Sequence, residues 1–280
     1  MQRKTNLKKP AEPYWRKHVQ VYQNGRLVWY AEQPSEQFWF DLWGERLRQN
    51  YFEAADRGNL QDLEKILTRT LKKDGRHVEA GCGLGYWVAA LKARGYQIEG
   101  LDYSRKLIEL IQTVRPDLPV RRADVLNLQS PDNEYDSYLS FGVVEHRQEG
   151  PEPFLKEALR ILKPGGRVIL SVPYLCPLRR LKGILGLYRK DPEQKPFFQY
   201  AFSKEELCHF MTETGFHILE VHYQHVQRCL VEESSLYFRL NRLKGGRYIK
   251  MLVNFFLTAK QAGHLILVIA EKPDLNKKGS

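Results

Sequence analysis

A chain of 280 residues, 42% hydrophobic and 28% charged, is long enough for one large α/β domain with additions or for two small domains. That balance excludes a disordered polymer, and no apolar run approaches the roughly 18 residues a membrane span needs. The formal net charge of +11 suits anionic partners (nucleic acid, phosphorylated or nucleotide-linked molecules, a membrane surface) and equally a basic surface kept for solubility.

In chain order, the basic stretch Met1 to Lys9 leads into no apolar segment of the secretory type, so a cytoplasmic location is expected. Residues 1–12 read as a loose tail. Asn24-Gly25, set between aromatic and β-branched residues, predicts a hairpin within 13–34. Residues 35–56 predict a helix capped by Ser35, with Phe38, Trp39, Leu42, Trp43 and Leu47 as its apolar stripe; a second helix is predicted over 59–72. Strands and helices then alternate. Strands are predicted at Arg76–Ala80, Gln97–Asp102, Val120–Ala123, Tyr135–Phe141 and Arg167–Val172, and helices over 86–94, 105–115 and 152–162, the last stopped by Lys163-Pro164-Gly165-Gly166. This order predicts a parallel sheet in a doubly wound α/β fold.

The alternation breaks over 173–203, where Pro173, Pro177, Pro192 and Pro196 and many basic residues mark an insert over the carboxyl edge of the sheet. It resumes with helix 204–214, begun by Ser203 and Glu206 as a capping box, and strand Phe216–Val221. A helical insert within 227–262 and a final strand, Leu265–Ala270, follow. The organisation expected is an N-terminal extension, 1–58, and one larger domain, 59–280. Cys82, Cys176, Cys208 and Cys229 form no CxxC pair, so neither a metal site nor a disulfide framework is expected.

The chemistry concentrates in His77-Val78-Glu79-Ala80-Gly81-Cys82-Gly83-Leu84-Gly85, where a strand runs into a glycine turn and then a helix. Glycines let a ligand approach the backbone, and the helix start offers free N–H groups and the positive end of its dipole. The spacing is G-x-G-x-G, not the G-x-G-x-x-G of dinucleotide sites, and Tyr86 and Trp87 crowd the helix start. Glu79 would repel phosphate and suits an ammonium group. Asp102, at the next strand end, can accept from both hydroxyls of a ribose, with Tyr103 beside it. Asp124 can accept from an adenine amino group while the Val125 N–H donates to the ring. A fourth marker runs from Asp136 to Glu145-His146.

Taken together these residues resemble the class I S-adenosylmethionine-dependent methyltransferases, in particular a small-molecule (type 11-like) branch matched by Ser140-Phe141-Gly142-Val143-Val144-Glu145-His146 and by Leu162-Lys163-Pro164-Gly165-Gly166-Arg167-Val168. The resemblance is strong over 76–172 and weaker through Phe202 to Leu207, Gly215-Phe216 and the last strand. It implies a Rossmann-like sheet of seven strands with the last antiparallel, and S-adenosyl-L-methionine as cofactor. It places Glu79, Gly81, Cys82, Gly83 and Gly85 under the methionine part, Asp102 on the ribose, Asp124 and Val125 at the adenine, and the Phe141 backbone near the amino group. Glu79 stands where Asp is frequent.

Methyl transfer is a direct displacement that asks mainly for orientation and desolvation. His146 is the candidate base if the acceptor must lose a proton, with an orienting role as the alternative; Glu145 is a second candidate. The N-terminal aromatics Trp15, Trp29, Trp39 and Trp43 suit either a cap on the cofactor or an acceptor pocket, or equally a plain core or oligomer contact. The insert residues Leu178, Leu181, Leu185 and Tyr188 share a helical face with basic residues largely off it, so 178–190 suits either peripheral membrane contact or a lid with a solvated basic side. The basic segment Arg239 to Lys250, before apolar Met251–Leu257, adds to this, and an anionic or lipid-linked small-molecule acceptor suits both. The competing functions are an RNA or other nucleic-acid methyltransferase, an NAD-dependent oxidoreductase and a non-catalytic cofactor binder. The first lacks an Asn-Pro-Pro-Tyr-like tetrapeptide and the second the dinucleotide glycine spacing.

Overall fold

The computed structural model describes residues 17–31, 35–47, 51–241, 243 and 245–274. The expected tail 1–12, Trp15 and residues 48–50 of the expected long helix lie outside the described residues.

The described residues begin with a hairpin, β1 (Val19–Gln23) and β2 (Arg26–Tyr30), turned at Asn24 and Gly25, both at positive φ (51° and 77°) as a tight hairpin turn requires. Helices α1 (Glu36–Leu47), α2 (Glu53–Asp56) and α3 (Glu64–Thr70) follow. The alternating part comprises β3 (Arg76–Ala80), α4 (Tyr86–Ala93), β4 (Gln97–Asp102), α5 (Arg105–Val114), β5 (Val120–Arg122), β6 (Tyr135–Phe141), α6 (Glu152–Ile161) and β7 (Leu162–Pro173). The insert supplies α7 (Pro177–Ile184) and β8 (Phe197–Ala201). Then come α8 (Lys204–Thr214), β9 (His217–Gln224), α9 (Val226–Glu233), α10 (Ser235–Leu240), α11 (Gly246–Phe256), α12 (Ala259–Ala262) and β10 (Leu265–Glu271).

Seven strands form one sheet in the order β5-β4-β3-β6-β7-β10-β9. The pairs from β5 to β7 are parallel, and β10 lies antiparallel between β7 and β9. The expected seven-stranded sheet with its last strand antiparallel is therefore present. Both faces are covered, as the period of two shows: Val168, Leu170 and Val172 point into one apolar cluster, Ile169 into the other, and Ile266 and Val268 alternate with Leu267 and Ile269 in the same way.

Three local expectations differ. The helix expected over 35–56 is not continuous: Tyr51 and Phe52 form a turn, and Tyr51 lies edge-on to Tyr86, 5.5 Å between centroids. Burial of the two aromatics against α4 outweighs helix propensity. Lys163 to Gly166 does follow the end of α6, yet it belongs to β7 as an irregularity, the register with β6 passing from Tyr135↔Leu162 to Ser137↔Arg167. At the start of α8, Ser203 Oγ accepts from the Glu206 N–H, but the Glu206 carboxylate pairs with Arg26 at 2.5 Å instead of closing the box.

The extension and the insert meet in a second sheet. β8 pairs antiparallel with β2, giving the order β1-β2-β8. Nothing local in either segment announces this pairing, since each is a half-apolar strand with a free edge until the other arrives.

Candidate active site

β3 delivers the chain into the glycine turn. Gly81, Gly83 and Gly85 have φ of 76°, 54° and 75°, and the N–H groups of Gly81 and Cys82 both donate to the Leu101 carbonyl of β4. A Cβ on Gly81 would lie 2.3 Å from Val143 Cγ2, so this position must be glycine on grounds of both conformation and space. Asp102, ending β4, accepts from the Gly83 N–H through Oδ2 and the Ser104 N–H through Oδ1, each at 3.0 Å. Those bonds aim the carboxylate, while burial pushes its pKa up. Tyr103 is raised to about 12 by burial and then by the Asp102 carboxylate. Asp124 follows β5 and accepts from the Leu126 N–H at 2.9 Å.

Glu79 is buried in β3, and its Oε2 has no hydrogen-bond partner. Burial first, and then the Asp102 charge, push it well above the ordinary carboxylate range. Cys82 is likewise buried; its thiol, donating weakly to the Gly83 carbonyl at 3.8 Å, is pushed far up by burial and stays protonated.

The extension roofs this edge. The Glu36 carboxylate, at the start of α1, accepts from the Lys106 N–H at 3.1 Å and from Ser104 Oγ at 3.4 Å, at the N-terminus of α5 where a negative charge is favoured. Lys106 Nζ reaches Gln37 at 2.6 Å. With α1 so anchored, Trp39 and Trp43 stand over a cavity of about 550 Å³, inside the size range of small-molecule sites. Its lining includes Gly81, Gly83, Asp102, Tyr103, Asp124, Val125 and, next to the glycine turn, Phe141. Around His146 it is lined by Trp39, Arg147, Pro196 and Phe197.

His146 closes a 3-10 turn after β6, its Nδ1 bonded to the Phe198 carbonyl at 2.8 Å. The carbonyl can only accept, so Nδ1 carries the proton and Nε2 keeps its lone pair. Trp39 and Phe198 stand edge-on to the ring at 5.2 and 4.9 Å, and burial pushes its pKa down to about 4. Glu145 points away into the protein. It does not line the cavity, its Oε2 has no partner, and burial raises its pKa to about 8.

Eight of the expected site residues thus line one cavity: Gly81, Gly83, Asp102, Tyr103, Asp124, Val125, Phe141 and His146. Glu79, Cys82, Gly85 and Glu145 do not. Gly85 instead starts α4 in the left-handed conformation. Sequence reasoning missed Arg147, Pro196 and Phe197. Arg147 sits next to His146 and a positional argument reaches it; the other two enter only through β8.

An open α/β sheet with a phosphate-averse glycine turn and a carboxylate at the next strand tip defines a nucleoside-binding fold. Residues 51–221 match a family model described as a methyltransferase domain, and the chain belongs to that family, the class I S-adenosylmethionine-dependent methyltransferases. It is 29% identical over 145 residues to a probable S-adenosylmethionine-dependent methyltransferase of Mycolicibacterium smegmatis, covering 51% of this chain and 53% of that protein. The chain spans about half the length of the first curated relatives it matches. In structure it is similar to a chain from the complex between the Haloferax volcanii Trm112 methyltransferase activator and a putative methyltransferase, with TM-score 0.58 and 19% identity over 86% of this chain and 98% of that one. It is also similar to Burkholderia thailandensis 1,6-didemethyltoxoflavin-N1-methyltransferase with bound 1,6-didemethyltoxoflavin and S-adenosylhomocysteine, with TM-score 0.53 and 16% identity over 91% and 100% of the two chains. At these identities the two structures show the fold alone.

Proposed function

We propose that this chain transfers a methyl group from S-adenosylmethionine to a small-molecule acceptor, both held in the one cavity that runs from the glycine turn to His146. That continuity is the observation that carries the reading. Asp102, with Tyr103 beside it, takes the ribose, and Asp124 and the Val125 N–H take the adenine. The Gly81–Gly85 turn, including Cys82 as a small filler, and the Phe141 backbone lie along the amino-acid part. Glu79, whose buried Oε2 lacks a donor, lies behind the turn and off the cavity lining, and suits a ligand bearing an ammonium group; among the described residues that line the cavity the one Lys or Arg is Arg147, beside His146. When bound, S-adenosylmethionine supplies an electrophilic methyl carbon on a sulfonium.

The chain's own residues orient and desolvate. Trp39 and Phe197 exclude water from the acceptor end, and Trp43 covers the glycine turn at Gly83, so that displacement is then a matter of alignment. His146, neutral through the physiological range, presents the Nε2 lone pair that can take a proton as the acceptor loses it. Glu145, buried and off the cavity, takes no part in the transfer. Arg147 has no hydrogen bond at Nε and only a 3.6 Å ion pair with Glu149, so an acceptor carrying an anionic group suits it.

Calorimetry with S-adenosylmethionine and S-adenosylhomocysteine tests the cofactor half, and a screen of acceptors with a labelled methyl donor tests the rest. Saturable binding of both and label transfer to a small acceptor are expected. Binding of a nicotinamide dinucleotide with neither adenosyl compound would refute it, as would labelling of RNA alone.

A further inference from the structure

The excess charge of this chain is concentrated. Segments 174–190 and 234–270 contain eleven Lys and Arg and no Asp or Glu, and the rest of the sequence balances at 33 basic against 33 acidic residues. The same two segments hold eleven of the fourteen large apolar side chains that are exposed among the described residues. A soluble surface scatters such side chains singly; clustering them marks an interaction site.

Helix α11 shows the arrangement. Ile249 and Val253, with Leu257 just beyond, pack inward against a small cluster around Leu230, Tyr237 and Ala262. Tyr248, Met251, Leu252 and Phe255 form a second apolar stripe at helical spacing, and these four are 54%, 64%, 55% and 81% exposed. Helix α7 packs on the same cluster through Leu178, while Leu181, Ile184 and the following Leu185 face outward at 54%, 70% and 62% exposure. Exposed Arg180, Arg247 and Lys250 flank the two stripes, and the Arg247 guanidinium lies 4.7 Å from the Tyr248 ring. The outward stripe therefore does not serve the fold, which the inward one already supplies.

We propose that the outer faces of α7 and α11 dock the protein on an anionic lipid bilayer, the Leu, Met and Phe side chains entering the acyl boundary and the basic rim lying at the headgroups. The chemistry selects this occupant. A second copy of the chain packed two-fold would set the basic rim against itself. A nucleic acid would place its phosphates against Leu, Met and Phe at the centre of the patch, where affinity needs donors. A bilayer with negative headgroups meets both the apolar centre and the cationic border. The inference does not depend on methyl transfer.

The test is flotation of the full chain with vesicles of phosphatidylcholine alone and of equal parts phosphatidylcholine and phosphatidylglycerol, at low and high salt, with gel filtration alongside. Salt-sensitive flotation with the anionic vesicles only is expected. Met251→Ser/Phe255→Ser and Arg247→Glu/Lys250→Glu should each weaken it by about tenfold or more, at unchanged thermal midpoint because all four side chains are exposed. Absence of flotation, flotation indifferent to both double variants, or a dimer dissolved by Met251→Ser/Phe255→Ser without lipid binding would each overturn the proposal. None of these readouts uses turnover, so failure here is distinct from failure of the methyltransferase reading.

Discussion

Asp102 is tied to the backbone on both oxygens, yet each oxygen keeps a lone pair for a ligand hydroxyl. Asp102→Asn should preserve most of the turn while weakening S-adenosylmethionine binding by about 10- to 100-fold, the worth of one charge-assisted hydrogen bond, as measured by calorimetry. His146 has the opposite profile. Its neighbours are the Phe198 carbonyl and the Trp39 ring, not the glycine turn. His146→Ala should lower kcat about 100-fold or more and leave cofactor affinity within about twofold. Unchanged turnover with the true acceptor would return His146 to an orienting role.

Among the elements, α7 holds the most buried charge. Arg179, expected on a solvated basic side, is instead fully buried, with Glu232 and Glu233 each at 2.9 Å and the Tyr174 carbonyl at 2.8 Å. Its guanidinium lies 5.1 Å from the Trp29 ring of β2, so one side chain ties the insert to α9 and to the extension. The apolar face expected through Leu178, Leu181, Leu185 and Tyr188 is correspondingly split. Leu178 packs inward and the Tyr188 hydroxyl donates to Glu233 at 2.8 Å, while Leu181 and Leu185 face out. Arg179→Met should destabilise the protein by about 3 kcal/mol by removing the buried cation that Glu232 and Glu233 share, although Arg228 stays on Glu232 and Lys182 and Tyr188 stay on Glu233. Arg179→Met/Glu232→Leu/Glu233→Leu should recover a substantial part, and urea denaturation reads both.

For the whole molecule, buried titratable groups around the cavity bend the pH dependence of stability. His146 is lowered from 6.5 to about 4, and His18 also to about 4, both by burial. The unfolded chain takes these protons more readily, so the stability they contribute is full above about pH 6.5 and lost as the pH falls toward 4. Glu145 is raised from 4.5 to about 8 by burial. Its contribution is full below about pH 4.5 and lost as the pH rises toward 8. Buried Glu79 and Asp102, also raised, act in the same sense as Glu145, and Glu145→Gln should flatten the alkaline limb of Tm in the ligand-free protein by about 3 °C or more between pH 6.5 and 8. Equal alkaline limbs in a thermal scan would dismiss Glu145 as the source.

The sequence by itself determined the alternating parallel part of the sheet and the glycine turn with its carboxylates, because these are written in local signals, while the count of seven strands came from the family resemblance. Alternation of β3 to β7 with helices, glycines where the backbone must turn with positive φ, and acidic residues at the tips of β3 and β4 are read without knowing what lies opposite. Tertiary structure decided which of the N-terminal aromatics reach the cavity and what forms the rest of the acceptor end. Trp39, Trp43, Pro196 and Phe197 come from segments more than 150 residues apart, joined only when β2 pairs with β8 and Glu36 seats on α5. It also decided which helical stripes would be buried: α7 and α11 each have more apolar surface than one contact can cover, and only the packed cluster shows which side was left to solvent.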